Sequence, residues 1–541
     1  MLAQHMVAAF LRDTIFLLIV QDVDNKGVDV TPRFLFTLEG FLMSQSLNFE
    51  RADQIVSALK QMASKAFAQG QAMDQTEQQL YRELLALGHA LVGSIIQAAG
   101  DGDVGPATEK NGRMHKRLPK RRRRYRSIFG EFQIERYVYG NDPVQAIQAI
   151  PLDEHLGLPE TDYSLVLEVW TGIESTQQSF HSAIKTLERI TTLHVPLDSA
   201  ERIEQRLGKS AALVLDNPPS VDRDSEAEIL VQTSDCKGIP MVRRQTEKHP
   251  VGAPDERKGP KPNQKQMACM AGVYTVDRNM RTAQEIVDAL FHIPTREERH
   301  PVDAPRTNPR YFAALTKHDD QGNVIGKTAE DQAQQWLTTN TLRRHQSGQE
   351  IVVLHDGQRS LWKKCQEYQK DWEMLEILDI LHALQRIWSA AHILVAKDKV
   401  EGKVKEDLWL ILRGGIGMYI GGLRRSLHRQ GMSKADTREL EKIIQFLDAN
   451  KSRMQYGEYL AKGYPIATGF IEGACRHVIK DRMEQSGMRW KEKNAQSMLH
   501  MRCIEASELW DVTTEQHRIC SLAKYGKTRK NYSESFLPMA A

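Results

Sequence analysis

V-Q-T-S-D-C-K-G-I-P, residues Val231–Pro240, is an apolar run that ends in an acid, and the rest of the chain is read outward from it. Ile229–Thr233 has the β-branched, apolar character of a short buried strand. Asp235 then falls just past its end, with Gly238 close behind. The pattern recurs in I-V-V-L-H-D-G-Q-R-S-L, Ile351–Leu361, where a strand over Ile351–Leu354 leads to Asp356 and Gly357. A third acid, Glu472, lies at an expected helix start within Tyr464–Trp490 (YPIATGFIEGACRHVIKDRMEQSGMRW). Arg476 and Lys480 follow it at i+4 and i+8, on much the same helical face. Each acid has a plain reading of its own: Asp before Gly is a common turn residue, and the helix dipole favours an acid in the first turn. Taken together and in this order, they suit a site where two hard cations, held by carboxylates about 3.5–4 Å apart, act on a phosphodiester.

Further strands are expected at Met267–Val276 and Leu375–Leu378. Helices are expected over Glu330–Gln346, Leu381–Ala396, Glu406–Gln430 and Ala435–Ala461. This gives an α/β core, a mixed sheet flanked by helices, with a helical subdomain inserted at about residues 383–465. The strand Leu375–Leu378 leads into Asp379-x-x-His382, a pair that either supports the acid site or caps the following helix. His382 is the weaker candidate ligand, since Mg²⁺ prefers oxygen. Trp388 and Trp409 are expected in the core of the insertion.

Upstream, residues 1–105 read as mostly helical, and Met1–Val20 as an amphipathic helix rather than a signal peptide. The break A-G-D-G-D-V-G-P, Ala99–Pro106, opens a basic region, 106–222. Arg113–Arg126 (RMHKRLPKRRRRYR) holds nine Lys or Arg and no acid, and alternation suggests strands around Gly130. Such a run, including Arg121, Arg122, Arg123, Arg124 and Arg126, is either a solvated linker or an element that binds a polyanion. Two helices follow between 160 and 215, with Asp198 and Glu201 as a capping-box pair; they are a DNA-reading helix-turn-helix or plain packing. The core spans 223–515 and a tail 516–541.

The 541-residue chain has 41% hydrophobic and 26% charged residues and a net charge of +3, ordinary for a globular protein. Six scattered cysteines without a C-x-x-C pair point away from a disulfide framework or zinc cluster and fit a reducing cytoplasm. The stretch Leu408–Leu423 is broken by Arg413 and glycines and is too short for a membrane span.

D-x-K-G-x-P at Asp235–Pro240, L-H-D-G at Leu354–Gly357, L-D-x-x-H at Leu378–His382 and the long block Phe470–Trp490 resemble bacterial insertion-sequence transposases of the ISKra group, in the DDE superfamily. R-S-I-F-G-E-F-Q-I-E-R and P-L-D-E-H-L-G-L-P are similar to that group as well, so the resemblance covers roughly residues 115–510. It implies an RNase H-like catalytic domain that uses Mg²⁺ or Mn²⁺, two ions in all, held by Asp235, Asp356 and Glu472, with Asp379 and His382 in support. The implied partners are the double-stranded DNA of the element's terminal repeats and of the target, bound by a homo-oligomer at the nucleoid. Arg476, Lys480, Arg489, Trp490 and Lys491 join the basic run as expected DNA contacts, with Trp490 placed to stack on an unpaired base or to fill core.

Overall fold

The structure is a computed structural model that describes residues 47–141, 147–242, 265–292, 305–319, 321–428, 432–485 and 487–525. The expected helix at Met1–Val20 and the end of the expected tail lie outside the described residues. The chain divides into two compact units. One comprises Met1–Gln71, Ala90–Arg121 and Glu135–Leu156; the other comprises Ala72–His89, Arg122–Ile134 and Gly157–Ala541.

In the first unit, helix α1 (Glu50–Gln69) ends at Gly70, which takes the left-handed C-cap conformation at φ 61°. α2 (Met73–Ala98) crosses the unit boundary in sequence, and its Ser94 hydroxyl donates to the Asn48 carbonyl at 2.5 Å. Strands β1 (Ala107–Lys110) and β2 (Arg113–Ser127) pair antiparallel from Ala107↔Lys116 to Lys110↔Arg113. The two-residue loop between them is Asn111–Gly112, both at positive φ (53° and 73°), as a tight hairpin demands. β3 (Gly130–Gly140) completes a three-stranded sheet in the order β1-β2-β3. The basic run is therefore a strand, not a linker. In β3 the Arg136 guanidinium makes a buried fork to Asp153 of α3 (Pro151–Leu156), at 2.8 and 3.3 Å.

In the second unit, α4 (Leu165–Gln177), α5 (Phe180–Thr191) and α6 (Leu197–Asp216) form a helical block. Ser164 and Ser179 cap the first two helices by accepting backbone N–H groups. α6 instead starts after Pro196 and has no side-chain cap. This corrects the expected Asp198–Glu201 capping box: Asp198 already lies in the first turn, where its charge meets the helix dipole.

The central sheet has the order β6-β5-β4-β7-β8. Its strands are β4 (Ile229–Pro240), β5 (Lys265–Val276), β6 (Thr307–Leu315), β7 (Glu350–His355) and β8 (Leu375–Leu378). β5 runs antiparallel to both β4 and β6, whereas β7 and β8 run parallel to β4. β4 is longer than its apolar run suggested. Its ladder to β7 stops at Thr233↔Leu354, but its ladder to β5 continues to Pro240↔Lys265. Asp235 thus sits within the strand, opposite Met270, just beyond the point where the parallel neighbour ends. β6 escaped the sequence reading because its polar half carries Pro309; a proline is tolerated there because the strand is an edge.

Helices cover the sheet: α7 (Ala283–Phe291), α8 (Ala329–Arg344) on β5 and β6, α9 (Arg359–Tyr368) after β7, and α10 (Ile380–Leu394) after β8. The block between α10 and Glu472 is helical, as expected, but more broken. The single helix expected over Glu406–Gln430 is two, α11 (Val400–Leu412) and α12 (Ile416–Ser426), separated at Gly414, whose φ of 86° no helix interior accepts. α13 (Lys434–Ala449) and α14 (Tyr456–Ala461) follow. Trp409 is 38% exposed, with Arg413 over its ring, which corrects its expected core position.

α15 (Gly469–Ala474) carries Glu472 and continues through a π-helical stretch, Cys475–Lys480, into a last turn, Asp481–Met483. α16 (Glu492–Ala506) packs on α6 and β6, and α17 (Trp510–Leu522) packs on α6. α17 runs through the expected tail boundary at 515.

Candidate active site

The elements that carry the three acids are fixed independently. Asp235 is positioned by the β4–β5 ladder. Asp356 follows β7, and one of its carboxylate oxygens accepts the Gln358 N–H at 2.8 Å, which closes a turn through Gly357 at φ 94°. Glu472 depends on the seating of its helix. Phe470 stacks on Tyr311, ring centroids 4.7 Å apart, and lies so close to β5 that a Cβ on Gly272 would come within 2.4 Å of its ring. Gly272 is therefore the residue that lets the helix approach the sheet.

Asp379 joins these parts. It is fully buried and caps α10: one oxygen accepts the His382 N–H at 3.1 Å and lies 2.6 Å from His382 Nδ1. The other oxygen accepts the Thr468 N–H at 2.8 Å, at the entrance to α15. The Ile380 N–H reaches the Ile466 carbonyl nearby at 2.9 Å. The capping reading of the pair therefore holds. Asp379 caps a helix, and it also ties α10 to the helix of Glu472 while orienting the His382 ring.

His382 Nδ1 lies 3.6 Å from a Glu472 oxygen. Among the described residues, Asp379, His382 and Glu472 form the group whose ligand atoms all lie within 4.8 Å of one another. Asp235 and Asp356 stand outside that group but within its electrostatic reach. Burial, reinforced by the Asp356 charge, holds the Asp235 carboxyl above its usual range against the pull of the Cys236 N–H, Cys475 and His382. Burial also raises Glu472, helped by the charges of Asp379 and Asp235 and opposed by His382 and Thr468. The bond to Asp379 raises His382, with the charges of Asp356 and Glu472 adding to it against burial. Burial is thus the main cause that raises Asp235 and Glu472, and neighbouring acids add to it.

An open cavity of about 470 Å³ lies over this cluster. Asp235, Glu472 and His382 line it together with Lys237, Arg476 and Lys480. The expected basic face of the Glu472 helix therefore meets the acids in one cavity. Lys237 escaped the sequence reading, although period-2 alternation puts it on the same face of β4 as Asp235.

The far end of the Glu472 helix is anchored by two buried arginines. Arg482 donates from Nε to the Ser175 carbonyl at 2.7 Å, and its guanidinium lies against the rings of Phe180 and Trp490 at 5.4 and 5.0 Å. Arg502 donates to the carbonyls of Thr176, at 3.1 Å, and His477. Both thus reach the C-terminal end of α4, where unpaired carbonyls and the dipole favour cations. Trp490 is 4% exposed, and its indole N–H donates to the Met483 carbonyl at 3.1 Å. Its expected role as a stacking platform for DNA is corrected: the ring is core and offers no open face. Arg489 and Lys491, on either side of it, are exposed.

The basic strand is less uniform than its composition. Arg117 and Lys120 pair with Asp103 and Asp101 at 2.5 and 2.7 Å. Arg123 donates to the carbonyls of Pro159 and Thr161, Arg124 lies 3.7 Å from Asp162, and Arg126 bonds Glu131 and Tyr163. Arg121 and Arg122 are exposed. All six cysteines are free thiols, and no helix is long and apolar enough to cross a membrane among the described residues.

A scan against protein-family models finds no match to this chain, and none of the curated proteins matches it.

Proposed function

We propose that the chain is a DDE-type DNA transposase with an RNase H-like core, which cuts the phosphodiester at the ends of its element and joins the freed 3′-hydroxyl to target DNA. One observation carries the reading: Asp235 of β4 and Glu472 line one cavity with His382, Lys237, Arg476 and Lys480, and burial, helped by the charges of nearby acids, holds both carboxyls above their usual range. The strand order also supports it, because three antiparallel strands are followed by two parallel to the first, and the acids gather where the parallel ladder ends.

The donor set fits a hard divalent cation. Carboxylate oxygens predominate, and the burial and neighbouring negative charge that raise Asp235 and Glu472 are costs that a bound cation would offset. Asp235, Asp356 and Glu472 would hold Mg²⁺ or Mn²⁺, which when bound activates the attacking oxygen and stabilises the leaving one. Asp379 keeps the Glu472 helix and the His382 ring in place. Arg476, Lys480 and the exposed arginines of β2 neutralise the DNA backbone, and the reading extends to a homo-oligomer acting at the nucleoid. In-line displacement at such a site needs no covalent protein intermediate.

The test is incubation of the protein with the DNA that flanks its gene, Mg²⁺ and a target plasmid. Cleavage at the element ends followed by joining is expected, with both steps lost in Asp235→Asn and Glu472→Gln. Cleavage that never leads to joining would make the protein a nuclease or resolvase. Cellular activity untouched by either substitution would leave a DNA-binding protein with acids kept for structure.

A further inference from the structure

Lys237 is the cation in the acid-lined cavity that the proposed chemistry has not used. It lies two residues beyond Asp235 on β4, on the same face of the strand, and lines the cavity with Asp235, Glu472, Arg476 and Lys480. The backbone is held at this point, because Lys237 pairs with Ala268 within the β4–β5 ladder. The side chain is half-buried, yet among the described residues no carboxylate lies within ion-pair distance of it. The arginine beside it in the cavity is as lightly engaged. Arg476 reaches Asp481 only at 3.9 Å, with both side chains exposed, a pair worth little in water.

The cavity brings both kinds of charge together: the carboxyls of Asp235 and Glu472 and the cations of Lys237, Arg476 and Lys480, with Asp481 beside Arg476. A ligand that satisfies both brings cations to the carboxylates and anionic oxygens to the ammonium and guanidinium groups. A phosphodiester chelated by divalent cations has that form.

We propose that Lys237 is a substrate-contacting residue: its ammonium binds a non-bridging oxygen of a DNA phosphate lodged in the cavity, with Arg476 and Lys480 taking the neighbouring phosphates. This rests on the reading of the acids as a site of DNA chemistry and assigns that site its phosphate-side contact. A compact ammonium on a paired strand suits a single tetrahedral phosphate, and the arginine on the helix can follow a backbone that varies in path.

The experiment uses the full chain and a fluorescein-labelled DNA duplex with a 3′ overhang, in Ca²⁺ so that no strand is cut. Lys237→Met keeps the aliphatic stem and removes the charge, and Lys237→Arg restores the charge. Anisotropy should show about 3- to 10-fold weaker binding for Lys237→Met at moderate salt, with the slope of log affinity against log salt reduced by about 0.9, one phosphate contact. Lys237→Arg should recover the slope. Mn²⁺ affinity, measured separately without DNA, should not fall in Lys237→Met, because the acids are untouched. Unchanged affinity and slope in Lys237→Met, or a wild-type chain that does not bind the duplex, overturns the inference, as does a loss of Mn²⁺ affinity, which would mean the acids themselves had moved. A Lys237-dependent slope in a protein that never cuts its element ends would leave this contact standing and remove the transposase reading.

Discussion

Glu350 opens β7, and Asp235 lies near the opposite end of its neighbour β4, and these two acids sit in opposite electrostatics. At the first end, Arg278 bridges Glu350 and Glu228 at 3.0 and 3.2 Å, the Tyr464 hydroxyl donates to Glu350, and the Glu350 carboxyl is held below its usual range by Tyr464 and Arg278. Just ahead of β4, Glu226 is gripped by the Arg344 fork at 2.7 and 2.8 Å and is likewise lowered despite its burial. At the other end, burial first and neighbouring acids second raise Asp235 and Glu472. The same strands thus end once in paired, lowered carboxyls and once in raised ones beside a cavity. Pairing within the fold stabilises the chain, whereas perturbed carboxylates beside a cavity are the pattern of functional sites.

The comparison breaks most sharply in activity. Asp235→Asn or Glu472→Gln should lower DNA cleavage by about 10³-fold or more, the loss of several kcal/mol of charge stabilisation in the transition state, while a gel-shift assay finds DNA binding nearly intact. Equal loss of both would place the acids in the fold and not in the chemistry. Stability should respond in the reverse order. Glu226→Gln leaves Arg344 buried without its partner and should cost about 3–5 kcal/mol in denaturant unfolding, whereas Asp235→Asn should cost nothing measurable or stabilise the fold.

Ligand binding sharpens the contrast. At a free Mg²⁺ concentration about 100-fold above its dissociation constant, thermal unfolding should report about 2.7 kcal/mol of added stability, absent in Asp235→Asn. pH then separates the two ends by sign. Glu226 and Glu350 are lowered in the fold, so the stability they contribute is present above the unfolded pKa and is lost as pH falls through their folded values. Asp235 and Glu472 are raised, so theirs is present below the unfolded pKa and is lost as pH rises through their folded values. Unfolding between acid and neutral pH should therefore show a smaller acid-side fall in a Glu226→Gln, Glu350→Gln protein and a smaller upper-side decline in Asp235→Asn, Glu472→Gln. The smallest effect belongs to the basic strand. Arg121→Ala should flatten the salt slope of DNA binding by about 0.9 with no change in stability; an unaltered slope would remove Arg121 from the interface.

The acid end was legible because its elements are strongly patterned. Ile351–Leu354 and Leu375–Leu378 are apolar runs of strand length, and the helix around Glu472 has a continuous apolar face. What stayed hidden depends on partners far away in sequence. Asp235 lies inside a strand because β5 continues beyond the end of β7, which no local signal records. The basic run forms a strand whose hairpin is set by Asn111–Gly112, a turn signal placed ahead of residues that look unlike any strand. Trp490 has a basic surface neighbourhood in sequence, yet Arg482, Phe180 and the Met483 carbonyl hold it inside. Lys237 was in view all along, but its value appears only once Arg476 and Lys480 are seen in the same cavity.

The most direct test of the acid site is Mn²⁺ binding to the full chain, followed by electron paramagnetic resonance in the absence of DNA. Binding by the wild-type protein that is lost in Asp235→Asn and again in Glu472→Gln, with the fold intact by circular dichroism, is the expected result. Binding that survives both substitutions, or no binding by a folded wild-type chain, would contradict the assignment of these carboxylates as a metal-dependent centre.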